Sequence, residues 1–263
     1  MIGRIFTALQ VEIAKAARLK FAYVGLGLVL AAMLSVLWIR PIARDGVSDY
    51  GFISYATPMA LNLLGLLLIQ IYCANLIASE TTAGTIRTIL VRPIRRWEWL
   101  IAKLLAGMVY AVALSGMVSI VCWGLVLLRG DAMGVNLGGE VIYSAREMAL
   151  TYALAWGLDL LPQFAAVAFA VMIASLTRST VSAIGGAIGL SVVMDIVKHP
   201  LGIDDYWFST YLESPWRAFQ DSCDGLPATW FPMTAYCITT SLVALVVFAS
   251  IATYALSRRD LTA

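Results

Sequence analysis

Six apolar runs take up most of this 263-residue chain, at about residues 21–39, 56–79, 100–128, 148–176, 180–197 and 233–256, each bounded by charge or by proline and glycine. Runs near twenty residues match the roughly 30 Å that a helix must cover to cross a bilayer. At 61% hydrophobic and 13% charged residues, with a mean hydropathy of +0.85, the chain has more apolar surface than one soluble core of this size can hide. A membrane barrel would need short alternating strands, whereas these runs are continuous and rich in Leu, Ala and Val. The expected fold class is therefore all-α: a polytopic membrane protein, one transmembrane domain over residues 1–263 with six transmembrane helices.

An even number of spans puts both termini on one side. Lys and Arg number twelve on the segments of that side and six on the opposite loops, so the positive-inside rule predicts cytoplasmic termini in a cytoplasmic (inner) membrane. Ten of the sixteen acidic residues fall in the outer loops, an asymmetry hidden by the net charge of +2. In residues 1–20, Ile2, Ile5, Phe6, Leu9, Ile13, Ala16 and Ala17 recur at helical spacing opposite Arg4, Gln10, Lys15 and Arg18. The pattern reads as an amphipathic helix lying in the inner interface, followed by an uncleaved first span; an ordinary cytoplasmic tail is the alternative.

Enzyme chemistry finds little support. The chain has no GxxxxGK[ST] loop, HExxH pair or G-x-S-x-G elbow. Cys73, Cys122 and Cys237 fall inside spans, Cys223 stands alone in an outer loop, and one histidine, His199, supplies no metal site by itself. No catalytic residue, metal or cofactor is expected in this chain, nor a nucleic-acid partner; membrane lipids are its expected surroundings.

Residues 80–103 break the apolar pattern with Arg87, Arg92, Arg95, Arg96 and Lys103 against only Glu80 and Glu98. A second span ending in Glu80, then Gly84-Thr85, Arg87, Leu90, Arg92-Pro93, Arg96, and Lys103 at the foot of the third span, resembles the first cytoplasmic loop of permease subunits of ATP-binding-cassette transporters of the type-2 exporter class. The six-span layout, the interfacial helix and a hinge at residues 175–179 are similar to that family too. The resemblance implies a short coupling helix, about Thr81 to Val91 in a loop at 80–99, that docks on a cytoplasmic nucleotide-binding ATPase subunit. That partner would hold ATP and Mg, and the permease would pair as a homodimer or with a sister permease. Thr81 and Thr82 would cap the helix, Gly84 would allow close backbone approach, and Pro93 would end it. Ile86, Ile89 and Leu90 offer an apolar contact, and Arg87 and Arg92 can meet acidic groups. The alternative for Arg92, Arg95 and Arg96 is topology and anionic headgroups. Glu80 needs a cation at the end of an apolar span, and Arg87, two turns on, is its expected partner, with other loop cations in reach.

Three further features have two readings each. Asp159, near Pro162 and Gln163 in the fourth run, either faces a transport pathway or caps the second half of a helix broken at Pro162. Ser182, Gly185 and Gly189 in the fifth run, with Gly186, allow close helix packing, inside the subunit or across a dimer. The aromatic segment 198–232, with Trp207, Phe208 and Trp216, reads as an aromatic belt or, by the resemblance, as re-entrant helices forming an outer gate. The function expected is a permease subunit coupling a partner's ATP hydrolysis to export of an amphipathic, lipid-like, peptide or drug substrate. The alternative is an ATP-independent carrier using Asp159, or a membrane assembly factor.

Overall fold

The computed structural model describes residues 2–18, 20–42, 49–82, 95–130, 132, 134–137, 140–227 and 229–258. Helix α1 (Ile2–Ala16) leads to α2 (Lys20–Ser35), which tightens into a 3-10 turn at Val36–Trp38. Then come α3 (Tyr50–Thr82), α4 (Arg96–Arg129), an antiparallel hairpin of β1 (Val135–Leu137) and β2 (Glu140–Tyr143), α5 (Ala145–Leu176) and α6 (Thr180–Leu201). Two 3-10 turns, Asp204–Tyr206 and Phe208–Leu212, precede α7 (Ser214–Cys223) and the last helix, α8 (Met233–Arg258).

The chain is essentially all-α, and α3, α4, α5, α6 and α8 are each long and apolar enough to cross a membrane, as in an integral membrane protein. The first apolar run forms a shorter helix, Ala22–Trp38, about 26 Å long. Helix α5 is the core: 78% of its most apolar stretch is buried, against 17% in α6 and α8, which pack on it from outside. Gly107 lets α4 approach both α3 and α5, since a Cβ there would come 2.7 Å from Cys73 Sγ and from Val167 Cγ1.

Capping marks the ends. Ser144 and Glu147 cap α5 reciprocally: the Ser144 hydroxyl accepts from the Glu147 N–H, and the Glu147 carboxylate accepts from the Ser144 N–H. Helix α6 starts with the Ser179 hydroxyl accepting from the Ser182 N–H and ends at Gly202, whose φ of 64° needs a residue without Cβ.

Pro58 and Pro162 lie inside helices without breaking them, and each leaves an unclaimed carbonyl four residues earlier. Pro58 frees the Ser54 carbonyl, which accepts from Gln220 Nε2 of α7 at 2.9 Å; two residues later α3 widens into one π turn, Ala60–Gly65. Pro162 frees the Leu158 carbonyl, which accepts from the Cys237 thiol of α8 at 3.6 Å. Helix α5 therefore runs unbroken through Pro162, and the expected cap of a second half-helix by Asp159 is not formed.

Of the two packings open to the small residues of α6, the one inside the subunit is not made by the expected stripe. Ser182, Gly185 and Gly189 are exposed, and a Cβ at either glycine would meet nothing within 4 Å. The buried stripe is Ala183, Ala187 and Ser191, with Gly186 beside Ile173. Ser191 accepts from Gln70 of α3 at 2.6 Å, and this polar bond sets the rotation of α6.

Candidate functional site

Four charged side chains meet at the end of the bundle where α1 lies. Lys103 Nζ donates to Glu12 Oε2 at 2.7 Å and to Glu80 Oε1 at 2.8 Å; Lys15 Nζ donates to Glu12 Oε1 and to Glu80 Oε1, both at 2.8 Å. The four form a closed, neutral ring in which each carboxylate lies between two ammonium groups. Lys103 is 1% exposed and lies 5.4 Å above the Trp99 ring, so its charge depends on the two carboxylates. Lys15 closes the solvent side. Burial disfavours its ammonium, but Glu12 and Glu80 outweigh that and hold its pKa above the ordinary lysine value.

The ring is built from three elements. Glu80 is in the last turn of α3, Lys103 is in the second turn of α4, and Glu12 and Lys15 are one turn apart on α1. It therefore clamps both flanks of residues 83–94 to each other and to α1. The same end holds further links. Thr82 and Thr180 share a hydroxyl hydrogen bond at 3.2 Å, tying α3 to the start of α6. Arg96 Nη1 donates to the Leu256 and Ser257 carbonyls at 3.1 and 3.2 Å, neutralising the C-terminal end of α8. Glu98 accepts from the Arg95 N–H at 2.9 Å and caps α4.

These contacts bear on the expected roles. The Glu80 carboxylate meets Lys15 and Lys103, while Arg87 lies outside the described residues, as do Gly84, Thr85, Leu90, Arg92 and Pro93 of the expected coupling helix. Thr81 and Thr82 lie in the last described turn of α3, their hydroxyls donating back to the Ile77 and Ala78 carbonyls at 2.9 and 2.8 Å, and the helix they were expected to cap lies outside the described residues. Glu12 and Lys15 were not singled out from the sequence. The available signals were a carboxylate on the same face as Ile5, Leu9 and Ala16, and a lone lysine three residues inside the third apolar run.

Away from the ring, the residues of the expected gate separate into two clusters. Trp207 and Phe208 pack with Phe169 of α5 and Phe248 of α8, at ring distances from 4.9 to 6.3 Å. Trp216 belongs to α7, which dips beside α5 so that Trp216 and Phe219 are buried, each with a ring centroid 5.5 Å from Tyr152. Tyr206 and Phe231, by contrast, are largely exposed. The Tyr152 hydroxyl donates to Ser119 at 2.9 Å and lies 3.3 Å from that of Thr57. Asp159, fully buried, accepts from Gln163 Nε2 through Oδ2 at 2.8 Å.

The charged ring contains no nucleophile beside a base, and no cluster of three His, Cys, Asp or Glu side chains among the described residues could hold a metal ion. What it can do is mechanical: it makes α1, α3 and α4 move together. No curated protein matches the sequence. A family model described as a protein of unknown function, DUF2705, matches residues 15–262, and the chain therefore belongs to the DUF2705 family.

Proposed function

We propose that this chain is the permease subunit of an ATP-binding-cassette exporter, with six spans of which α2 is the first. On this reading both termini are in the cytoplasm, and α1 lies in the headgroup layer of the cytoplasmic membrane with exposed Phe6 and Ile13 toward lipid. A separate ATPase subunit, holding ATP and Mg, docks on the coupling segment at about Thr81 to Val91, in the loop at 80–99. A second copy or a sister permease completes a pathway for an amphipathic, lipid-like, peptide or drug substrate. The chain itself does no covalent chemistry.

The observation that supports this reading most is the ring of Glu12, Lys15, Glu80 and Lys103. A partner pushing on residues 83–94 would act on α3 and α4 at once, and through them on α1, instead of bending a loose loop. Arg96 and Thr82 would extend the push to α8 and α6. The test is to extract the tagged chain in mild detergent, identify what copurifies, and compare ATPase activity with a Gly84→Asp, Arg87→Glu variant. A stoichiometric nucleotide-binding subunit, lost or uncoupled in the variant, is expected. Purification of the chain with no ATPase in several detergents would sink the proposal. A second reading, an ATP-independent carrier or assembly factor, draws on the buried carboxyl of Asp159.

A further inference from the structure

Asp159 is fully buried about halfway along α5 and forms no ion pair among the described residues. Tyr152 of the same helix and Cys237 of α8 are the titratable groups near it, and neither can carry positive charge. An isolated carboxylate in an apolar interior is far less favourable than its neutral acid.

The hydrogen bonds around it point the same way. Gln163 Nε2 donates to Asp159 Oδ2 at 2.8 Å, so amide and carboxyl lie against each other. Their other oxygens, Asp159 Oδ1 and Gln163 Oε1, are both buried and both lack a hydrogen-bond donor among the described residues. Two such acceptors leave a deficit that one hydrogen removes: a proton on Oδ1 donated to Oε1 closes the reciprocal pair that an acid and a primary amide form. The indole N–H of Trp216 interacts with the same carboxyl without reaching hydrogen-bond geometry, and it too has no other acceptor among the described residues. Trp216 is 1% exposed and closes the site from the side of α7.

We propose that Asp159 and Gln163 form a proton-binding site near the middle of the bundle, and that Trp216 of α7 seals it. Asp159 holds its proton while α7 is seated and releases it when α7 withdraws and water reaches the carboxyl. The inference is independent of any ATPase, since its test reads the carboxyl itself.

The experiment is infrared spectroscopy of the full chain in lipid nanodiscs across a pH titration. A carboxylic-acid C=O band is expected at neutral pH, absent in Asp159→Asn and moved to higher frequency in Gln163→Leu. Asp159→Asn mimics the neutral acid and should keep the thermal midpoint, so a missing band there is not a folding defect. In Trp216→Ala, which opens the site to water, the band should vanish at a pH lower by about one unit, a tenfold loss of proton affinity. An Asp159 band that appears only when the pH falls to about 4, the ordinary carboxylate range, would overturn the proton site. An unchanged titration in a folded Trp216→Ala variant would overturn the seal.

Discussion

Lys103 is the residue on which the charged ring depends. At 1% exposure its ammonium has no route to water, and its contacts are two carboxylates and the Trp99 ring. Lys103→Met removes the buried cation that Glu12 and Glu80 share and leaves the half-exposed Lys15 as the other cation of the ring. Breaking a buried pair in this way costs about 3–5 kcal/mol, which a lowered thermal midpoint in detergent would show. Adding Glu80→Gln to Lys103→Met should cost less than the two single changes together, because the second removes a charge the first had stranded. Full additivity would mean that the two side chains are not coupled. The pH dependence of Lys15 has a definite sign. Its folded pKa is raised from 10.5, so its contribution is fully present below that value and is lost only as the pH climbs through the higher folded value. Melting profiles of wild type and Lys15→Met should run parallel from about pH 7 to 9 and converge only in strong alkali.

The prolines act at the scale of the element. Gln220→Leu should cost about 1–3 kcal/mol, since it strips a side-chain donor from a carbonyl that the helix cannot use. Adding Pro58→Ala supplies a backbone N–H for that carbonyl and should recover much of the loss; if the double variant melts no higher than the single, Gln220 acts through something other than the Ser54 carbonyl. Close approach is a second element-scale constraint. Gly107→Val drives two methyls into Cys73 and Val167, and an overpacking cost of about 1–3 kcal/mol is expected in the same melting assay.

Across the whole molecule the bundle is asymmetric. Helix α5 is enclosed, whereas α6 and α8 present most of their surface outward, including the exposed stripe of Ser182, Gly185 and Gly189. Because a Cβ at either glycine meets no described atom within 4 Å, Gly185→Leu with Gly189→Leu should not lower the thermal midpoint of the monomer. If the second copy packs on this exposed stripe, the across-dimer packing that small residues allow, the same variant should abolish that dimer, read as the mass of the detergent-solubilised particle. An unaltered dimer would move the contact to another face.

The apolar runs were legible because the length of a span is a local property of about twenty consecutive residues, and α3, α4, α5, α6 and α8 lie where those runs lie. That Glu80 needs a cation was legible for the same reason: a carboxylate at the end of an apolar run carries its own electrostatic demand. Lys103 was within reach as a cation of the same segment, but Lys15 and Glu12 were not legible as its companions. Lys15 lies 65 residues away and Glu12 lies 91 residues from Lys103, so the ring exists only once α1 has folded back against α3 and α4. The rotation of α6 shows the same division. The sequence carries two small-residue stripes a fraction of a turn apart, and only the packed bundle, with its bond between Gln70 and Ser191, shows that Ala183 and Ala187 face inward while Gly185 and Gly189 do not. Sequence alone determined an all-helical membrane protein with a charged junction and a buried acid, because burial of apolar length dictates both. Tertiary structure decided the partner of each polar group, because a buried hydrogen bond or ion pair needs a second group that only long-range packing can deliver.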